Sequence, residues 1–136
     1  MTTTWVVVAH QTGARFMEHR SGWGRNLTFV SALANPDGRL RNHEIDTDRD
    51  AMQHEQTSHE HVVEGFIREI ASELQQARSQ GRFDDLILVA GPRFLGGLRQ
   101  ALDAPTALKV VGSVTKDLAA IPSGEVAQHI ADSLPL

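Results

Sequence analysis

The run DDLILVA at residues 84–90 constrains the fold more than any other stretch. It is almost unbroken in apolar residues and short enough for a strand. Both of its faces must therefore be covered, the pattern of a central strand with a layer on either side. The chain continues as GPRFLGGLRQAL, where Pro92 suits a first helical turn and Phe94, Leu95, Leu98, Ala101 and Leu102 fall on one helical stripe. A buried strand that runs directly into an amphipathic helix predicts a crossover to a parallel strand, and LKVVGSVT at residues 108–115 supplies that strand.

Upstream, WVVVA at residues 5–9 and ARFMEHR at residues 14–20 read as a hairpin, with Gly13 as the permissive residue of its turn. LTFVSAL at residues 27–33 is a third strand, closed by the turn signal NPDG. Residues 39–57 are polar and without period, a long loop of the kind that carries function. TSHE at residues 57–60 predicts a capping box in which Thr57 and Glu60 satisfy backbone donors at a helix start. Val63, Phe66, Ile67, Ile70 and Leu74 then form the apolar stripe of that helix, which Gly81 ends. Residues 123–134 read as a closing helix that turns Val126, Ala127, Ile130 and Leu134 inward. The succession predicts an α/β fold of the ribonuclease H-like type, with three layers and three main helices. Its mixed five-stranded sheet has the order 3-2-1-4-5, in one domain over residues 1–136.

Length and composition fit that reading: 136 residues with 40% hydrophobic content can bury one core. A net charge of −4 argues against a generic binder of nucleic-acid backbones, although a local basic patch stays open. With no cysteine there is no disulfide, thiolate nucleophile or Cys-based zinc site. The opening MTTTWVVVAHQ has no basic segment, and its apolar run is too short for a signal-peptide core or a membrane span. A cytoplasmic protein without membrane insertion is expected.

Few chemistries survive a residue-by-residue test. A two-metal nuclease needs converging carboxylates, but the first strand ends in Ala9-His10 and the fourth in Ala90-Gly91, which leaves Glu64 alone. His54, Glu55, His59, His61 and Glu64 bring metal-ligand types near a helix start without the HExxH spacing, so no metal site is expected. Nucleophilic catalysis lacks a Gly-x-Ser-x-Gly elbow. GPRFLGG is neither a phosphate-binding P-loop nor a dinucleotide fingerprint, and two readings of it stay open. Helix amides with Arg93, and Arg99 further along, could hold an anion at the end of the central strand. Alternatively, Gly96 and Gly97 let the helix backbone approach its neighbour closely. Asp117 after Lys116 is either an exposed charge pair or part of a site beside that turn. Trp5, Trp23 and Phe16 could stack on bases, but Trp5 opens a core strand and packing accounts for it better.

WVVVA with GARF, LANPDGRLR, TDRDA, HEHVVEGFIREIASEL, GRFDDLILVAGPRFLGGLR and VVGSVTKDLAAIPSGEVAQHI together resemble the host attachment protein family, small bacterial proteins required for attachment to host cells. The resemblance covers nearly the whole chain. It departs at His10, where first strands of the family commonly end in Asp followed by Gly, and in a shortened loop after TDRDA. It implies that the arginine–glycine turn and the KDL turn are signature segments. With the predicted topology it points to a binding cleft of His10, Arg93, Lys116 and Asp117 for an anionic ligand or a protein partner. The implied role is a non-enzymatic cytoplasmic binding or regulatory protein that affects attachment indirectly, with no cofactor and no metal. The family is also similar in fold to the middle domain of archaeal and eukaryotic class I release factors. That implies, as the alternative, a ribosome- or RNA-associated module using Arg15, Arg20, Arg25, Arg39 and Arg41. Peptide release needs a contiguous Gly-Gly-Gln, which Gly96-Gly97-Leu98 does not supply. A hydrolase with His10 as base and Asp117 orienting it is the third reading.

Overall fold

The computed structural model describes residues 2–39 and 49–134, with side chains for residues 2–37 and 60–134. The strands are β1 (Thr3–His10), β2 (Gly13–Arg20), β3 (Thr28–Ala34), β4 (Asp85–Ala90) and β5 (Val110–Thr115). They form one sheet in the order β3-β2-β1-β4-β5, as the succession of elements implies. β1 is antiparallel to β2 and parallel to β4, and β5 is parallel to β4. Strand alternation divides the core in two. Trp5, Val7, Ala9, Leu86, Leu88 and Ala90 face one side, whereas Val6, Val8, Ile87 and Val89 face the other. This two-sided burial is what the unbroken apolar run of β4 required.

The first side is covered by helix α1 (Arg49–Ser79) and helix α2 (Pro92–Ala101). Phe66, Ile67, Ile70, Ala71, Leu74 and Ala77 are the buried stripe of α1. The helix begins at Arg49 rather than at Thr57, so Thr57 lies within it and not at its start. Part of the expected loop is therefore helical. Residues 49–56, RDAMQHEQ, contain good helix formers and neither Gly nor Pro, and this propensity does not depend on an apolar period. The rest of the polar stretch, with His43, Asp46 and Asp48, lies outside the described residues, as does the Thr57 side chain.

A short helix α3 (Ala104–Ala107), absent from the expected elements, precedes β5. Asp103 caps it by accepting a hydrogen bond from the Thr106 amide at 3.0 Å. Leu108 ends that helix and is 84% exposed, so β5 starts at Val110, later than residue 108. Both edge strands carry a one-residue bulge. Phe16 pairs with Ser31 and Met17 with Phe29, leaving Val30 unpaired; Leu86 pairs with Val110 and Ile87 with Gly112, leaving Val111 unpaired. Bulges at such positions disfavour pairing with another chain.

The second side of the sheet is covered by the C-terminal segment, which is not the continuous helix expected over residues 123–134. It consists of a 3-10 turn at Ser123–Glu125, one helical turn α4 (Val126–His129) and a second 3-10 turn at Ala131–Ser133. Gly124 weakens the start, and Ile130 leaves helical geometry at φ −122°. Val126, Ile130 and Leu134 are nonetheless buried against the sheet. Burial of an aliphatic side chain contributes about 2 kcal/mol, so these anchors outweigh local helix propensity. The hairpin turn also differs from expectation. Gly13 is the first residue of β2, paired with His10, and its φ is not positive. Positive φ occurs at Gly22, Gly24 and Gly81, the last just beyond α1 as expected.

Candidate functional site

A cleft of about 820 Å³ opens where β1, β4 and the turn after β5 end together. This is the carboxyl edge of the parallel strands, where open α/β sheets place their ligands. The hairpin turn contributes His10, Gln11 and Thr12; the start of α2 contributes Gly91, Arg93 and Phe94. One face of α1 adds Glu60, Val63, Glu64 and Ile67, and the turn after β5 adds Asp117 and Ala119.

The hairpin rim is fixed by its own residues. The Thr12 amide donates to His10 Nδ1 at 3.2 Å, and Thr12 Oγ1 lies 2.8 Å from the same nitrogen. An amide N–H can only donate, so Nδ1 is the acceptor and the neutral ring carries its proton on Nε2. Asn35, buried at the end of β3, donates from Nδ2 to the Gln11 carbonyl at 2.7 Å and from its amide to the Thr12 carbonyl at 2.9 Å. Its place in the NPDG turn signal gave no hint of this role.

On the opposite rim, the segment after β5 is held by Arg15. The guanidinium reaches across the sheet face and donates to the Leu118 carbonyl at 2.8 Å, the Ile121 carbonyl at 2.7 Å and Ser123 Oγ at 3.1 Å. Burial lowers the Arg15 pKa from its usual value, but a guanidinium remains charged at physiological pH. Asp117 Oδ1 accepts from the Ala119 amide at 3.0 Å, which tightens the turn that presents both residues to the cleft.

Three of the four expected site residues, His10, Arg93 and Asp117, thus line one cleft. Lys116 does not. Successive residues of an extended chain point to opposite sides, and the Lys116 ammonium donates to the His129 carbonyl at the end of α4 (2.9 Å). Arg99 is also directed elsewhere, to Ser113 Oγ at 3.2 Å. Glu60 and Glu64 are cleft residues that their expected roles, cap and metal ligand, did not suggest. Their signal was the spacing 60, 63, 64, 67, which puts two carboxylates on the same helical face as Val63 and Ile67.

The two readings of the arginine–glycine turn separate by residue. A Cβ built at Gly97 would lie 2.9 Å from Ile67 Cδ1, so Gly97 permits the close approach of α2 to α1. Nothing lies within 4 Å of a Cβ at Gly96, and no packing in the structure explains that glycine. Arg93 is exposed at the mouth of the cleft.

Other expected groups are dispersed. Arg20 pairs with Glu18 at 3.4 Å and lies over Trp23 at 5.8 Å, Arg25 is exposed, and the Arg39 and Arg41 side chains are outside the described residues. Trp5 and Phe16 are buried in the core, with ring centroids 6.0 Å apart. Of the histidine-rich group, His61 and Glu64 are exposed and 3.9 Å apart, while the side chains of His54, Glu55 and His59 are outside the described residues. Among the described residues no three His, Cys, Asp or Glu side chains are grouped to hold a metal ion. For a hydrolase, the contact that would orient His10 at Nδ1 is made by Thr12 rather than by Asp117.

Solved structures share the fold, two of them archaeal. An archaeal translation termination factor, aRF1, matches with a TM-score of 0.60 and 13% identity, covering 98% of this chain and 35% of that one. An archaeal protein matches with a TM-score of 0.52 and 12% identity, covering 96% of this chain and 36% of the other. The chain thus spans about a third of the length of each. No curated protein matches it in sequence. The family model described as protein required for attachment to host cells matches residues 5–130, and the chain belongs to that family.

Proposed function

We propose that the protein is a non-enzymatic binding protein whose cleft takes a ligand with an anionic group, and that occupancy of the cleft regulates attachment indirectly from the cytoplasm. The observation that carries this reading is the convergence of His10, Arg93 and Asp117 from three separate segments on one cleft at the carboxyl edge of the sheet. Arg93 is the group that meets the anion, and His10 adds a ring whose Nδ1 is already engaged by Thr12. Lys116 stands behind the turn as a support for α4.

Thermal stability tests the site, because a ligand that binds only the folded state raises the melting temperature. Phosphate, short carboxylates and nucleotides are compared on the parent and on Arg93→Ala. A shift in the parent that the variant loses supports the reading; equal shifts in both would place the anion elsewhere. Cell fractionation tests location, and recovery chiefly on the outer surface would contradict a cytoplasmic role.

Likeness in fold to a translation termination factor favours a second reading, association with ribosomes or RNA. Among the described arginines Arg20 and Arg25 would serve it, since the half-buried Arg15 is committed to the Leu118 and Ile121 carbonyls. Salt-sensitive co-sedimentation with ribosomes is the expected sign, and its absence at low salt removes this reading.

A further inference from the structure

The charge of the cleft is opposite to that of a simple anion site. Glu60, Glu64 and Asp117 set three carboxylates against the one guanidinium of Arg93. With His10 neutral, the described lining carries a formal charge of −2. A ligand that carries only negative charge meets Arg93 at one wall and net repulsion from the rest.

The charges come from different elements, with Asp117 on the turn after β5. Arg93 stands with Phe94 at the start of α2, while Glu60 and Glu64 stand one turn apart on α1. The same lining includes the apolar side chains of Val63, Ile67 and Phe94. From this pattern, and resting on the proposed binding role of the cleft, we infer that its ligand is dipolar: an anionic group toward Arg93, an ammonium or guanidinium toward Glu60 and Glu64, and an apolar stem between them. Each end then meets an opposite charge, and the stem covers apolar surface that would otherwise face water. The carboxylates are exposed, so each contributes modestly and the preference weakens with salt.

Three probes with one stem test this: 6-aminohexanoate, hexanoate and hexylammonium. Each is titrated into the 15N-labelled full chain at low salt, and the amides of residues 60–67, 91–94 and 117–119 are followed. The expected result is that 6-aminohexanoate binds at least about threefold more tightly than either single-charge probe, as one added exposed ion pair allows. In Glu60→Gln/Glu64→Gln, surface changes that leave the core intact, its advantage over hexanoate should vanish and hexanoate should bind more tightly than to the parent. Hexanoate binding the parent as well as 6-aminohexanoate would overturn the inference and leave the anion-binding role standing. An advantage that persists in the double variant would overturn it too. If no probe moves the cleft amides, the inference and the proposed role of the cleft fall together.

Discussion

Replacing Arg15 with Met removes one side chain and three hydrogen bonds to a segment more than a hundred residues away. The stem keeps most of its packing, so the change isolates the guanidinium. A hydrogen bond involving a charged group contributes about 1.5–3 kcal/mol, and three would sum to about 4.5–9 if they were buried and independent. They are neither: Arg15 is half-buried, its bonds share one donor group, and the uncharged variant escapes the desolvation that lowers the Arg15 pKa. The net loss is therefore about 2–4 kcal/mol, chiefly from the Ile121 carbonyl left without its donor, since the Leu118 carbonyl keeps the Ile121 amide. For a chain of this size that is a fall in Tm of roughly 6–15 °C. Circular dichroism measures the melt, and amide hydrogen exchange shows where protection is lost. It should be lost first around residues 118–123, the segment whose carbonyls Arg15 gathers. Arg15→Lys keeps the charge but puts its donors on one nitrogen and lacks the fork whose two nitrogens serve the Ile121 and Leu118 carbonyls, so most of the loss should persist. A Tm within about 2 °C of the parent for Arg15→Met, or full rescue by Lys, would refute the argument that this guanidinium builds the far wall of the cleft.

Four further outcomes are expected. Gly96→Ala should stabilise the protein by about 0.5–1 kcal/mol, because its Cβ meets open space and alanine favours a helix. Gly97→Ala should gain less or lose, because its Cβ would press on Ile67; equal gains in urea unfolding would remove the packing role of Gly97. Hydrogen bonding by Thr106, side chain first and then backbone, holds the Asp103 carboxyl below its usual range, with Arg78 at 3.9 Å also lowering it and desolvation opposing. A depressed folded pKa means stability present above the unfolded value of about 3.9 and lost as pH falls through the folded value. The Tm gap between the parent and Asp103→Ala should therefore close between pH 7 and pH 2, and a constant gap would contradict the assignment. Lys116→Gln should cost less than about 0.5 kcal/mol and leave ligand shifts unchanged, because its contact with the His129 carbonyl is exposed and outside the cleft; loss of those shifts would return Lys116 to the site.

Strand order was legible because it rests on local signals that agree. The two-faced apolar run of β4, the β-branched run of β1 and the helix between β4 and β5 leave few topologies for a right-handed crossover. What the sequence hid depends on partners distant along the chain. Residues 123–134 carry inward anchors at helical spacing, yet sheet contacts at Val126, Ile130 and Leu134 hold the segment without a continuous helix. Arg15 looks like a surface contact for phosphate in a hairpin read alone, and only the return of residues 118–123 over that face makes it an internal clamp. Likewise, the bulges at Val30 and Val111 arise from pairing register, which a single strand does not encode.

The start of α1 shows how an element boundary decides chemistry. In a helix beginning at Thr57, Glu60 is the third residue, and its carboxylate folds back to satisfy a backbone donor. Because the helix begins at Arg49, Glu60 lies well inside it, where backbone donors are already paired along the helix. Its carboxylate is released from capping and lines the cleft one turn before Glu64. The same residue thus changes from a local stabiliser into one of the acidic groups of the cleft that Arg93 also lines. An anion site read from the arginine–glycine turn alone is accordingly incomplete: with Glu60 and Glu64 on α1 and Asp117 after β5, the described lining holds three carboxylates against the guanidinium of Arg93.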